Sequence, residues 1–387
     1  MSSGFLPHRI QRFYRIAASS FFFIHGLVFS SWASRIPDIK SALSLSDAQL
    51  GGVLFLIPAG QLSAMALSGW LVYRLGSRKM LSVAAVLYPL ALILLGGVTS
   101  RWELGAALYF FGITSNLSNI SVNTQGVGVE KLYNRSIMAS FHGMWSLAGV
   151  VGGLLGSWMA LHGVSPRQHF LMTFFVCMAI LISMYASMLP RDRKITVSSN
   201  RPKTFTRPSL YIVLLGLMAF CSMSCEGTMY DWSSVYFMQV VRPADHLIRA
   251  GYIACMTAMT LGRFSADYFA TRFGSLNVIR ASGFILFGGF LLAVLLPAFW
   301  TACAGFFLVG LGFSSVVPLC YSLAGKSTRM PPSMAVAAVS TIGFFGFLFT
   351  PPVIGFISQA SNMRTAFFIM ACAGLSVSFV APRARAR

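Results

Sequence analysis

Apolar runs of membrane-spanning length, separated by short polar interruptions, occupy nearly the whole chain. Bounded by charged residues, they fall near 14–34, 47–73, 80–99, 103–129, 138–162, 168–189, 209–238, 247–270, 277–297, 299–324, 332–358 and 362–381. A spanning α-helix needs roughly 20 apolar residues. The pattern therefore predicts an all-α membrane protein with twelve transmembrane helices. The first run, Phe13 to Trp32, lacks a small-residue cleavage site and leads into a second hydrophobic segment, so it reads as a span and not as a cleaved signal.

The longest polar interruption, Arg191 to Arg207 (RDRKITVSSNRPKTFTR), sets six basic residues against Asp192 and divides the spans six and six. It predicts an N-terminal six-helix bundle over 1–190, a basic cytoplasmic linker over 191–207 and a C-terminal six-helix bundle over 208–387. An internal repeat supports the halves. Arg74-Leu75-Gly76-Ser77 is matched by Arg272-Phe273-Gly274-Ser275, 198 residues later, and the Gly-rich stretch from Gly143 is matched from Gly343, 200 residues later. Two parallel six-span copies related by an axis normal to the membrane enclose a central cavity. Gly149, Gly152, Gly153 and Gly156 permit close helix approach. Pro351 and Pro352 are expected to break or kink span 11.

Composition excludes a soluble domain: 56% of residues are hydrophobic, 10% are charged and mean hydropathy is +0.73, whereas soluble chains carry about 25% charge. The net charge of +20 raises the question of nucleic acid. Its placement at the edges of apolar runs answers for membrane topology and anionic lipid instead. Lys and Arg concentrate at the termini, in the linker and after even-numbered spans; the opposite face holds only Arg35, Lys40, Arg101, Arg167, Arg242, Arg249 and Arg364. By the positive-inside rule both termini are cytoplasmic. All seven cysteines sit in apolar runs and read as small buried hydrophobes, with no metal-ligand spacing beyond the lone Cys221–Cys225 pair. The chain carries no Walker loop and no His-Glu-x-x-His motif, so it reads neither as an ATP-driven pump nor as an enzyme.

Polar side chains at membrane depth are costly and normally face a cavity or a partner. Span 1 carries His25, with Arg35 near its outer end. Span 4 carries Asn116, Asn119, Asn123 and Gln125, span 5 carries His142, and span 7 carries Glu226, Asp231 and Trp232. The first three asparagines recur at i, i+3 and i+7, one helical stripe able to bond a hydroxylated or amide-bearing solute. Interhelical hydrogen bonding is the alternative. Glu226 lies well inside an apolar helix, and a carboxyl able to be neutral or charged according to the side it faces is what proton coupling requires. A fixed ion pair with Arg35 or Arg263 is the competing reading. His25 and His142 could relay protons or bond solute. Gly69, Arg74, Gly76 and Arg78 after span 2, and Arg263, Asp267 and Arg272 on span 8, form a candidate cytoplasmic gate, with Arg263 and Asp267 spaced for an i, i+4 latch.

The stretches GWLVYRLGSRK, NISVNTQGVGVEK followed by FHGMWSLAGVVGG, EGTMYDWSSVY, GRFSADYFATRFG and GFLFTPPVIGF resemble, in order and spacing, bacterial major facilitator proteins of an inner-membrane branch near the fucose/proton symporters. The resemblance implies the major facilitator fold, two pseudo-symmetric six-helix bundles with a central mid-membrane site, coupling to protons and residence in the bacterial inner membrane. It also implies that Arg35, Asn123, His142, Glu226, Asp231 and Trp232 surround the central path. Two departures stand out. Relatives often carry an acid where this chain has Asn119, and an Asp where it has Tyr73.

Together these features predict a monomeric secondary transporter that moves a small polar solute, a sugar or sugar derivative, by alternating access. The proton gradient supplies the drive, the lipid bilayer is its surroundings, and it uses no cofactor and no nucleic acid. Efflux of hydrophobic or cationic compounds is one rival, given 34 Phe and 20 Met. A non-transporting membrane sensor on a transporter fold is another, and it requires that the buried polar groups be fully paired with one another.

Overall fold

The computed structural model describes residues 8–133, 137–190, 209–325 and 332–384; the linker read over 191–207 lies outside them. Among the described residues there are fourteen α-helices and no strand. They are α1 (His8–Ala42), α2 (Asp47–Leu54), α3 (Leu56–Leu75), α4 (Ser77–Leu95), α5 (Arg101–Glu130), α6 (Met138–Leu161), α7 (Pro166–Met184), α8 (Leu210–Tyr236), α9 (Ala250–Phe273), α10 (Ser275–Leu295), α11 (Phe299–Phe313), α12 (Val316–Gly325), α13 (Pro332–Ala360) and α14 (Met363–Val380).

Twelve membrane-length rods result, because α2 with α3 and α11 with α12 each make one span. Each interruption lies three to four residues before a proline. Pro58 and Pro318 lack the N–H that would have bonded the carbonyls of Leu54 and Ser314, so the helix opens there. Ten rods are both long and apolar enough to cross a bilayer. The other two are α5, which carries the asparagine stripe, and α9, which carries Arg263.

Local chemistry sets several helix starts. Ser46 and Ser165 accept from the backbone of Gln49 and Gln168, whose side chains bond back, so each end is a closed capping box. Ser100 and Asn362 cap α5 and α14 in the simpler way. α13 runs through Pro351 and Pro352 without a break. In a membrane helix, neighbouring helices and local adjustment can re-satisfy the freed backbone.

The chain forms two compact units. The first holds the residues up to Arg35 and those from Leu56 to the linker. The second holds everything after the linker together with Ile36–Phe55, a helical hairpin that the sequence reading assigned to the N-terminal bundle. The hairpin packs on α13 because two glycines meet there: a Cβ on Gly355 would stand 3.0 Å from the Gly51 Cα, and one on Gly51 would press on the Pro351 carbonyl. Charges fasten it. Asp38 pairs with Arg249, while Asp47 takes an ion pair from Lys40 at 3.1 Å and hydrogen bonds from Gln239 at 2.8 Å and Ser358.

The internal repeat appears in three dimensions. Gly76 and Gly274, 198 residues apart, adopt φ of 89° and 83° at the turns joining α3 to α4 and α9 to α10, a conformation that glycine alone enters freely. Within the first unit, Gly112 lies where a Cβ would overlap the Ile57 carbonyl oxygen; within the second, Gly310 stands in the same relation to Cys255. Both pairs are again offset by 198.

Candidate functional site

In the second unit, α8 and α9 run antiparallel. Gly251 packs on Phe237, Met259 meets Tyr230, and Arg263 meets Glu226. Glu226, buried at 7% exposure, sits one helical turn before Tyr230 and so shares its face. The Tyr230 hydroxyl donates to Glu226 Oε1 at 2.5 Å, and Arg263 Nη2 donates to the same oxygen at 3.1 Å. This is a charge-assisted triad at membrane depth, and it is the fixed-pair alternative with Arg263, not Arg35. Arg263 thus reaches across to α8; the side chain of Asp267, its expected i, i+4 partner, lies outside the described residues.

Asp231, five residues beyond Glu226, is half-buried. Tyr252 on α9 lies within electrostatic reach of it, and the Tyr252 hydroxyl is buried with no hydrogen-bond partner. Trp232 is fully buried at 0% exposure with its indole N–H unpartnered. It is packed in the protein core, not lining an open path.

In the first unit, α5 supplies the polar face. Asn119 is exposed and Asn123 half-buried, and the Asn123 amide donates to the Asn119 carbonyl at 2.8 Å and to its side-chain oxygen at 3.3 Å. Asn116 Oδ1 is buried with no hydrogen-bond partner. On the same helix, the Ser118 hydroxyl pairs with buried His25 at 3.1 Å, and Ser115 accepts from Gln61 at 3.3 Å. The His25 ring lies 5.4 Å from Tyr88; His142 is exposed and packs edge-on against Phe22 at 5.2 Å.

Two sequence candidates have other work. Gln125 is a clamp: its amide donates to Ser77 Oγ at 2.7 Å and to the Leu189 carbonyl at 3.1 Å, while its oxygen accepts from the Leu189 N–H at 2.9 Å. Its carboxamide closes the end of span 6, with both amide hydrogens engaged within the protein. Arg35, 1% exposed, donates from Nε to His169 at 3.1 Å and from Nη2 to the Val164 carbonyl at 2.8 Å, tying α1 to the start of α7. Long reach across the fold made both invisible to helix spacing.

Around the α3–α4 turn, Arg74 lies over Trp70 at 5.8 Å, while Arg78 stacks on the Tyr185 ring at 4.5 Å and donates to its carbonyl at 3.0 Å. Gly69 lies open, and Tyr73 projects to the exterior. On the other copy, Arg272 bonds the Tyr268 hydroxyl at 2.8 Å. Sequence reasoning missed Tyr230, which shares the helical face of Glu226 at i+4 and could have been found by that spacing. It also missed Tyr252, Tyr88 and Ser118, which no local pattern singles out.

Comparison with known proteins places this architecture. The family model described as Major Facilitator Superfamily matches residues 18–333. An uncharacterized MFS-type transporter of Yersinia pestis is 33% identical over 368 residues, covering 94% of this chain and 93% of that protein. Among solved structures, the nucleoside transporter NupG superposes with a TM-score of 0.76 at 13% identity, over 96% of this chain and 100% of that one. A D-xylose-proton symporter gives 0.73 at 14% identity, over 95% and 97%. At such identities the two structures establish shared fold alone. With its twelve helical rods, its repeated turns and these matches, the chain is a membrane transporter, not an enzyme, and belongs to the Major Facilitator Superfamily.

Proposed function

We propose that this protein is a proton-coupled carrier that moves a small hydroxylated solute, a sugar or sugar derivative, across the bacterial inner membrane by alternating access, with both termini in the cytoplasm. The observation that carries this reading is the pair of acids on α8. Ionisable groups inside membrane spans are expensive and mark substrate or ion pathways, and here one helix holds two.

The asparagines of α5 support a polar solute, since carboxamides both donate and accept, and Asn116 Oδ1 has an unspent acceptor. The solved neighbours act on compatible compounds: one is named for nucleosides and the other for D-xylose with protons. Unpartnered buried atoms on Asn116, Trp232 and Tyr252 count against the sensor reading, which needs a fully paired interior. Positive-inside charge supports the orientation.

The test is uptake of labelled pentoses, hexoses and nucleosides into proteoliposomes under an imposed inward proton gradient. Accumulation of one class, abolished by a protonophore, supports the proposal. Accumulation indifferent to the gradient refutes coupling, and no uptake of any member refutes the solute class.

A further inference from the structure

The surface where α4 meets α7, within the first unit, carries a groove of about 650 Å³. Val83, Val86 and Leu87 of α4 line it with Leu181 and Ile182 of α7, and the Tyr185 ring stands at one end. Ser82, its polar exception, donates its hydroxyl to the Arg78 carbonyl at 2.9 Å. From Arg78 to Leu87 the helix rises about 14 Å, close to half of a hydrocarbon core roughly 30 Å thick. The groove therefore has the polarity of an acyl chain and the depth of one leaflet.

At the Tyr185 end a positive charge has no counter-ion. Arg78 stacks on that ring at 4.5 Å and donates from Nη2 to the Tyr185 carbonyl at 3.0 Å, while its Nε–H is buried without a hydrogen-bond partner. The acids described in this unit are held elsewhere: Glu103 accepts from Thr99, and Glu130 accepts from the backbone of Ile137 and Met138. Among the described residues no carboxylate pairs with Arg78. Lys79, the next residue, is exposed. No side chain caps the start of α4 and its first turn holds no acid, an end that itself favours negative charge.

The internal repeat supplies a contrast. Counted from the turn glycines, 198 residues apart, Arg78, Lys79 and Val86 correspond to Leu276, Asn277 and Phe284. Counted from the helix caps Ser165 and Asn362, 197 apart, Ile182 corresponds to Phe379. In the second unit those two rings meet edge-on at 6.4 Å. The first copy is thus aliphatic and cationic where the second carries packed aromatic rings and neutral side chains. An apolar trough alone accepts any chain of the bilayer; an unanswered cation at its end selects a negative head group.

We infer that this groove binds an anionic phospholipid, with one acyl chain along α4 and α7 and the phosphate at Arg78. The leaflet is the cytoplasmic one on the orientation proposed above, and binding requires neither the solute nor a proton gradient.

The experiment is native mass spectrometry of the full-length, delipidated protein in detergent, titrated with dioleoylphosphatidylglycerol or dioleoylphosphatidylcholine. The wild type should bind a first phosphatidylglycerol about fivefold more tightly than phosphatidylcholine, and Arg78→Gln should erase that preference. Arg78→Lys should keep most of it, which separates loss of charge from misfolding. Val86→Phe combined with Ile182→Phe, which copies the second unit, should weaken phosphatidylglycerol although Arg78 remains. Equal binding of the two lipids by the wild type means ordinary annular contact and overturns the inference, as does a preference that survives Arg78→Gln or an affinity unchanged by the two phenylalanines. Complete displacement of the lipid by inorganic phosphate at matched ionic strength assigns the cation to a free anion and also overturns it.

Discussion

Tyr230 donates to Glu226 from one turn along the same helix, at 2.5 Å, onto the oxygen that Arg263 also holds. Removing the acid therefore disturbs more than a charge. Glu226→Gln should destabilise the protein by about 2–3 kcal/mol, below the range for a fully buried pair because the Arg263 side chain is 22% exposed. The double variant Glu226→Gln with Arg263→Met should recover much of that loss. Denaturant unfolding of the four proteins in detergent measures the coupling, and strictly additive losses would count against a shared unit.

The repeated glycine contacts give a second expectation. Gly112→Ala and Gly310→Ala each force a methyl onto a backbone carbonyl, and overpacking of this kind costs about 1–3 kcal/mol. Both should lower the unfolding temperature, and by similar amounts. A neutral result at either position contradicts the close approach described.

Gln125→Ala should release the Leu189 backbone and remove the hydrogen bond to Ser77. Each buried group left unsatisfied costs about 1–3 kcal/mol, so stability should fall while solute affinity, read as half-saturation of uptake, stays within about twofold. A selective loss of affinity with unchanged stability would return Gln125 to the solute-binding set.

Fastening of the hairpin 36–55 is testable by hydrogen exchange. Arg249→Met removes the partner of Asp38, and Asp47→Ala removes the acceptor shared by Lys40, Gln239 and Ser358. With about 1–3 kcal/mol lost per broken charged contact, amide exchange across 36–55 should accelerate roughly 5- to 150-fold, while α10 and α11 remain unchanged. Uniform acceleration throughout the second unit would indicate global destabilisation instead.

Spans and repeat were legible in the sequence because they rest on local regularities: the length of apolar runs and the Arg-x-Gly-Ser turns. The Glu226–Arg263 pair was within reach as one of two named alternatives, since so few charges lie at that depth. What stayed hidden depends on distance along the chain. Gln125 reads as a stripe residue until Leu189 is seen folded against it, 64 positions away. Arg263 reads from its spacing as a partner of Asp267 until Glu226 on α8 is seen against it, 37 positions away. Pro351 and Pro352 read as a break or a kink, and α13 continues through them without a break.

The hairpin has a consequence for how such a molecule can be recombined. Its borders, Arg35–Ile36 and Phe55–Leu56, lie beside Pro37 and Pro58, each of which removes a backbone donor. A chimera assembled at the basic linker would deliver a foreign loop against α13, Gln239 and Arg249, with mismatched charges and without the glycine pairing. Exchanging residues 36–55 along with the second half should yield viable hybrids where a simple bisection does not.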